Sequence, residues 1–459
     1  MRWCQRNLTA TALSIKLTTD MVNPLFYMLS VFVAFLYPTG VEPLYFLREE
    51  HNSIGLLGIG LHIQPFIIIL TTVLYTFVCY IIYSITSRES NSKQFYRAKG
   101  IMRVIALLLY TAEIYIFHLP LYVWDNLRLD GYAVAAEIAT LIPLFILTAL
   151  NDVIASSFEG RFRQEATSIY GKLVFHFRTF TAFALLPIVL IISVSSISQE
   201  WDLLIKLITI YPFVGWLFGI LLLIGIISMA PFLIKFALGA KPLPSGELRE
   251  RLTYLCKKAA FSSRGMLVVN TYGARIGNAF IAGLFGKARY IFFTDYILDR
   301  MSIEEIEAVL SHEIGHSKRH HILLFLMFSI SFVTLLNILS NVVGNSQFLG
   351  PTVLIFAVGF WVGIFGFISR RFETEADIYG AKLIGNTEQM AITLEKVADI
   401  NSIARDTKGW RHFSIASRAF FLRTVAIAPD VAQRFESRIA RITTIFLIIF
   451  CASITYGGS

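Results

Sequence analysis

The chain has 459 residues, 56% hydrophobic and 15% charged, with a mean hydropathy of +0.65. This excludes both a disordered chain and an ordinary water-soluble domain, in which about a quarter of residues are charged. Lys and Arg number 40 against 31 Asp and Glu, a formal net charge of +9, and its distribution along the chain decides what that excess means.

Residues 1–64 form an N-terminal segment in which 21–37 is apolar around Asn23-Pro24. It fits a short additional span or a lumen-side surface helix. A cleavable signal peptide fits less well, because the apolar core starts late and no small-x-small cleavage site follows. The sequon Asn7-Leu8-Thr9 and the four scattered cysteines, which contain no CxxC, receive no role.

Seven apolar runs follow, at 65–83, 104–124, 132–150, 180–197, 207–233, 322–343 and 353–368. Each is close to or above the length that crosses a bilayer as a helix. Glu113 and Glu137 interrupt two of them, as satisfied interhelical groups or as the polar lining of an internal chamber. Residues 87–103 carry five Lys and Arg, 151–178 four and 235–319 thirteen, whereas the alternate loops hold Arg128, then Lys206, then none. By the positive-inside rule the basic side is cytoplasmic, so the excess charge is an address rather than a nucleic-acid surface.

The expected fold is therefore an all-α multispan membrane bundle of about seven helices, or eight, with a small cytoplasmic α+β unit. Its parts are the five-span bundle 65–238, a cytoplasmic segment 239–320, a two-span hairpin 321–369 and a cytoplasmic C-terminal segment 370–459. Within 239–320, Met266 to Val269 and Tyr290 to Phe293 read as short strands. The apolar stretch 443–456 suggests a surface, re-entrant or buried helix more than a full crossing.

Ser302 with Glu305 reads as a capping box opening a helix on which Ile303, Ile306, Leu310 and Ile314 recur at helical spacing. On it, His312-Glu313-Ile314-Gly315-His316 is an HExxH motif: two histidines four apart share a face and can grip one metal ion. A catalytic zinc site needs a third protein ligand. Past the last span, Glu373 and Asp377 are four apart, while Glu375 is turned away from them. Glu373 as ligand, with Asp377 accepting the free N–H of a ligand histidine, makes the more economical site. His320 and His321 stay outside the ligand set as interfacial residues.

The HEIGH sequence at the start of a span, the two-span return and the following Arg371-Phe372-Glu373-x-x-Ala376-Asp377 resemble the integral-membrane zinc metallopeptidases that include the type I CAAX prenyl protease and HtpX. The resemblance runs strongly from about residue 267 to 383 and weakly to 422; before that it rests on span count. It implies one zinc ion per chain on His312, His316 and Glu373, with Glu313 as catalytic base and Asp377 as the outer partner, expected on His312. It also implies that 277–283 is an edge strand whose Asn278 contacts substrate backbone. His412-Phe413-Ser414-Ile415-Ala416-Ser417-Arg418 resembles a family segment whose histidine and arginine approach the site, although Phe413 replaces a proline. His412 is then an expected oxyanion donor and Arg418 an expected support or substrate contact.

The implied function is hydrolysis of peptide bonds in membrane-associated or prenylated proteins at the cytoplasmic face, in an endoplasmic reticulum or bacterial inner membrane. The alternative is a broad membrane-protein quality-control peptidase like HtpX. A non-catalytic receptor or transporter belongs to a different class, and no internal repeat argues for one. Prenyl specificity and oligomeric state have no signal in the residues.

Overall fold

The computed structural model describes residues 63–88, 92–129, 132–161, 168–187, 189–190, 193, 201–284, 286–343, 361–407, 409 and 412–457. It is mostly helical, with one small sheet. The apolar stretch 21–37 lies outside these residues, as do parts of the runs 180–197 and 353–368.

The first helices are α1 (Gln64–Thr86), α2 (Ser92–Tyr115), α3 (Ala133–Glu159) and α4 (Ile169–Phe180). Pro65 sits in the first turn of α1, where a missing N–H costs nothing. The expected helix over 104–124 is broken: α2 ends at Tyr115, His118 is left-handed with φ 55°, and Pro120 sits in the short helical turn that follows. The run 207–233 is also split. Tyr211 leaves the helical region because Pro212 follows it, which separates α5 (Asp202–Ile210) from α6 (Pro212–Leu238). Among the described residues, three helical stretches are long and apolar enough to cross a membrane: Gln64–Thr86, Val134–Glu159 and Leu217–Leu238.

Several polar groups inside this bundle are paired across helices. Glu113 accepts a hydrogen bond from the Thr71 hydroxyl at 2.8 Å, the interhelical reading of that carboxyl. Where α2, α3 and α4 meet, Lys99 and Lys172 share Glu159, while Arg103 and His176 reach Asp152 at 2.8 and 3.2 Å. Buried charges persist only when paired in this way.

The chain then forms β1 (Lys241–Pro242), α7 (Glu247–Lys258), β2 (Gly265–Val269), β3 (Ala279–Ala282) and β4 (Tyr290–Thr294). The sheet order is β1-β2-β4-β3, with β2 and β4 parallel and the other pairs antiparallel, so β3 is an outer strand. Alternation gives the sheet two buried faces. Ile281, Ile291 and Phe293 pack with Leu252, Leu255, Ile306, Leu310 and Ile314, whereas Leu267, Val269, Tyr290 and Phe292 pack with Phe175, Ala182 and Leu238 of the preceding helices.

The remaining elements are α8 (Ile303–Lys318), α9 (His321–Val343), α10 (Gly366–Ile384), α11 (Thr387–Ile400), α12 (Ile415–Ile427) and α13 (Asp430–Gly457). The capping box is present: Glu305 N–H donates to Ser302 Oγ at 3.3 Å, and Ser302 N–H donates to Glu305 Oε2 at 2.7 Å. Lys396 of α11 binds the same Glu305 carboxylate at 2.6 Å. Helices α8 and α10 approach closely because Gly315 and Gly380 lie at their contact. A Cβ on Gly315 would meet the Ala376 carbonyl oxygen at 3.0 Å, and one on Gly380 would meet the His312 backbone nitrogen at 3.1 Å.

Gly315→Val should therefore push the two helices apart and cost roughly 1–3 kcal/mol of stability, as overpacking usually does. Gly225→Val in α6, where an added Cβ meets nothing within 4 Å, should leave the protein's thermal unfolding in detergent unchanged. Equal behaviour of the two variants would refute the close-approach account.

Candidate metal centre

Helix α8 turns Ile306, Leu310 and Ile314 to the sheet and Ala308, Ser311 and Gly315 inward, all buried. His312 and His316 are left on a third side, opposite Glu373 of α10. Their Nε2 atoms lie 3.1 Å apart, and the Glu373 carboxylate oxygens lie 3.7 Å from His312 Nε2 and 3.5 Å from His316 Nε2. One donor atom from each residue falls within a 4.8 Å cluster. Two imidazole nitrogens and a carboxylate form a donor set suited to zinc, whereas calcium and magnesium prefer oxygen alone.

The far side of each ring is also occupied. His312 Nδ1 lies 2.9 Å from Asp377 Oδ1, which leaves Nε2 facing the cluster. Asp377 in turn accepts two hydrogen bonds from Arg418, Nε to Oδ2 and Nη2 to Oδ1, both 2.7 Å. Arg418 Nη1 also lies 3.4 Å from Glu373 Oε2, so this buried guanidinium braces both carboxylates. Burial alone would raise the Asp377 carboxyl; Arg418 and His312 bring it below its ordinary value.

His316 has a partner that helical spacing did not reveal. At the end of α8, His320 takes a left-handed conformation (φ 56°), and this turn brings His321 back beneath the motif. His321 Nδ1 lies 2.9 Å from His316 Nδ1, and His321 Nε2 lies 3.1 Å from Glu375 Oε2. The His321 ring stacks on Phe372 with centroids 4.1 Å apart. Glu375 faces away from Glu373, as expected, yet it reaches the site through this second imidazole. His320 is exposed.

Electrostatics favour a cation here. Burial keeps His316 well below its ordinary value, hence neutral with a free lone pair. Glu373 would be raised by burial, but His412 and Arg418 hold it well below the usual carboxylate range. Glu313, beside the ligand pair, is pushed up to about 7 by burial. Such a carboxyl can accept and release a proton near neutrality.

His412 is brought into the cluster, with its Nδ1 3.3 Å from Glu373 Oε2, on the partly exposed side. Asn278 stands just before β3, where its carbonyl accepts from Thr294 N–H at 2.9 Å. The loop ahead of it is held by Asn401, whose side-chain amide pairs with both the N–H and the carbonyl of Gly277 at 2.9 Å. No described contact joins the Asn278 side chain to the cluster.

The model of peptidase family M48 matches residues 242–438. The chain is 29% identical to "CAAX prenyl protease 1 homolog" of Oryza sativa subsp. japonica over 204 residues, 40% of this chain and 46% of that protein. It is 27% identical to "Protease HtpX homolog" of Bacteroides fragilis (strain YCH46) over 199 residues, 38% of this chain and 61% of that one. The chain thus spans about half the length of the curated relatives it matches. The crystal structure of S. mikatae Ste24p superposes with a TM-score of 0.52, covering 79% of this chain and 98% of that one. At 19% identity this likeness speaks for the fold alone, and it extends well beyond the segment matched in sequence. The part of the chain that carries the HExxH helix, its sheet and the Glu373 helix, residues 242–438, is thus the part similar to peptidase family M48.

Proposed function

We propose that the protein is an integral-membrane zinc metalloendopeptidase that cuts membrane-associated proteins at the cytoplasmic face, as a CAAX prenyl protease does. The observation that carries this reading is the convergence of His312 Nε2, His316 Nε2 and a Glu373 oxygen within 4.8 Å, with Glu313 adjoining. These three residues are the ligands of one zinc ion per chain. When bound, zinc supplies Lewis acidity and lowers the pKa of a coordinated water toward about 7.

Glu313 takes the proton of the attacking water and returns it to the leaving amine. His412, on the open side of Glu373, donates to the oxygen that becomes negative in the transition state. Asp377 fixes the tautomer of His312, while Arg418 braces Asp377 and Glu373 and so acts through the ligands. Strand β3 offers an outer edge on which an extended peptide can lie, with Asn278 at its start.

The membrane part comprises about seven spans, or eight with 21–37, with the basic loops and the zinc unit cytoplasmic. A site at the membrane border suits a substrate already anchored there, because hydrolysis needs water and the bilayer core has none. The likeness to HtpX homologues supports a broader membrane-protein peptidase as the second reading.

The test uses purified protein and matched reporter peptides with and without a prenyl group. Glu313→Gln should keep its zinc yet lose roughly 10²–10⁴-fold in cleavage, the usual worth of a general base. His316→Ala and Glu373→Ala should lose the metal itself. Cleavage confined to the prenylated peptide supports the first reading, equal cleavage of both supports the second, and an active Glu313→Gln enzyme contradicts the mechanism.

His321 positions His316 by accepting its Nδ1–H and passing the polarity on to Glu375. His321→Phe, which keeps the stacking on Phe372, should weaken zinc affinity about 10–100-fold, as loss of an outer partner does. His321→Gln, which retains an acceptor, should recover part of it. Competition with a chromophoric chelator reads both values, and unchanged affinity in His321→Phe would remove His321 from the site.

A further inference from the structure

We propose that the groove between α10 and α13 binds the phosphate headgroup of an anionic phospholipid through Arg371, Arg438 and Arg441. The groove is a cavity of about 410 Å³ in which these guanidiniums adjoin Phe435, Ile442 and Ile445, and among the described residues no carboxylate lines it. Three like charges around one cavity repel each other unless an anion lies among them.

The acids nearby are committed elsewhere. Glu436 binds Arg319 and Lys382 at 2.7 and 2.8 Å, and Asp430 binds Arg434 at 2.6 Å. Among the described residues, Arg438 and Arg441 have no carboxylate within ion-pair reach and are exposed. Arg371 is fixed by stacking over Phe367 and donating to the Phe367 carbonyl at 2.9 Å. Its remaining N–H groups stay available for a bidentate bond to phosphate.

The groove also lies at the level where a headgroup belongs. Helix α13 runs alongside α9 in the same direction, with Glu436 beside Arg319 and the Phe446 ring 6.1 Å from that of Phe328. Arg371 is one residue from Phe372, whose ring is 5.2 Å from Phe325. The three arginines therefore sit at the level where the apolar run 322–343 begins. Beyond them α13 turns apolar, and Ile445, Ile448 and Ile449 are 59%, 64% and 56% exposed. An acyl chain descending from the phosphate would lie along Ile442 and Ile445 and cover part of this face. From the proposed function the inference takes only the membrane placement of 322–343 and nothing of the chemistry, so a failed cleavage assay leaves it intact.

The experiment reconstitutes the full chain into nanodiscs of phosphatidylcholine with or without phosphatidylglycerol and counts retained lipids by native mass spectrometry. The wild type should retain phosphatidylglycerol in preference to phosphatidylcholine, and excess inorganic phosphate should not displace it. The pair Arg438→Gln with Arg441→Gln should bind it roughly thirtyfold more weakly, from the usual strength of two juxtamembrane arginines. The corresponding lysine pair should keep most of the binding, and Arg434→Gln, outside the groove, should keep all of it. Equal retention by the wild type and the glutamine pair, no preference for the anionic lipid, or displacement by inorganic phosphate would each overturn the proposal.

Discussion

Everything at the candidate site depends on how closely α8 approaches α10. Without side chains at Gly315 and Gly380, the helices come near enough for two imidazoles and a carboxylate to point at one spot. Gathering three electron-rich donors within 4.8 Å is costly unless a cation shares them. The surrounding groups offset part of that cost. Asp377 and His321 hold the far nitrogens of the two rings, and the buried Arg418 spreads its charge over Asp377 and Glu373. Each ligand is thus oriented by a residue from a different part of the chain.

The same helix couples this site to the membrane half. Its apolar stripe lies on one face of the small sheet, and the other face lies on Phe175, Ala182 and Leu238. With β4 buried throughout, the sheet acts as a rigid plate between the HExxH helix and the ends of α4 and α6. This explains how two segments far apart in sequence, 303–318 and 366–384, keep a fixed relation to the bundle: both are anchored to elements packed on that plate.

Much of the site was legible because it follows helical arithmetic. Ser302 and Glu305 announce the helix, four-residue spacing pairs His312 with His316, and the same spacing pairs Glu373 with Asp377. The outer strand was expected from the family resemblance of 277–283, with the short β-type runs on either side in support. What escaped depends on chain reversal. His321 is five residues past His316, on no shared face, and meets it only through the left-handed turn at His320. Glu375 was set aside for facing away from Glu373, and it does face away, toward His321. The bond from Arg418 to Asp377 spans 41 residues that no periodicity connects. In the bundle, counting apolar residues joined segments that the backbone separates. Pro120 and Pro212 were the available signals, the first beside a left-handed His118 and the second forcing Tyr211 out of the helix.

The central claim is that His312, His316 and Glu373 hold one zinc ion, and zinc-edge X-ray absorption of freshly purified protein tests it most directly. The account predicts stoichiometric zinc with a shell of nitrogen and oxygen at about 2.0–2.1 Å, scattering from two imidazoles and no sulfur. The absence of bound metal, or a sulfur shell near 2.3 Å from any of the cysteines, would contradict it.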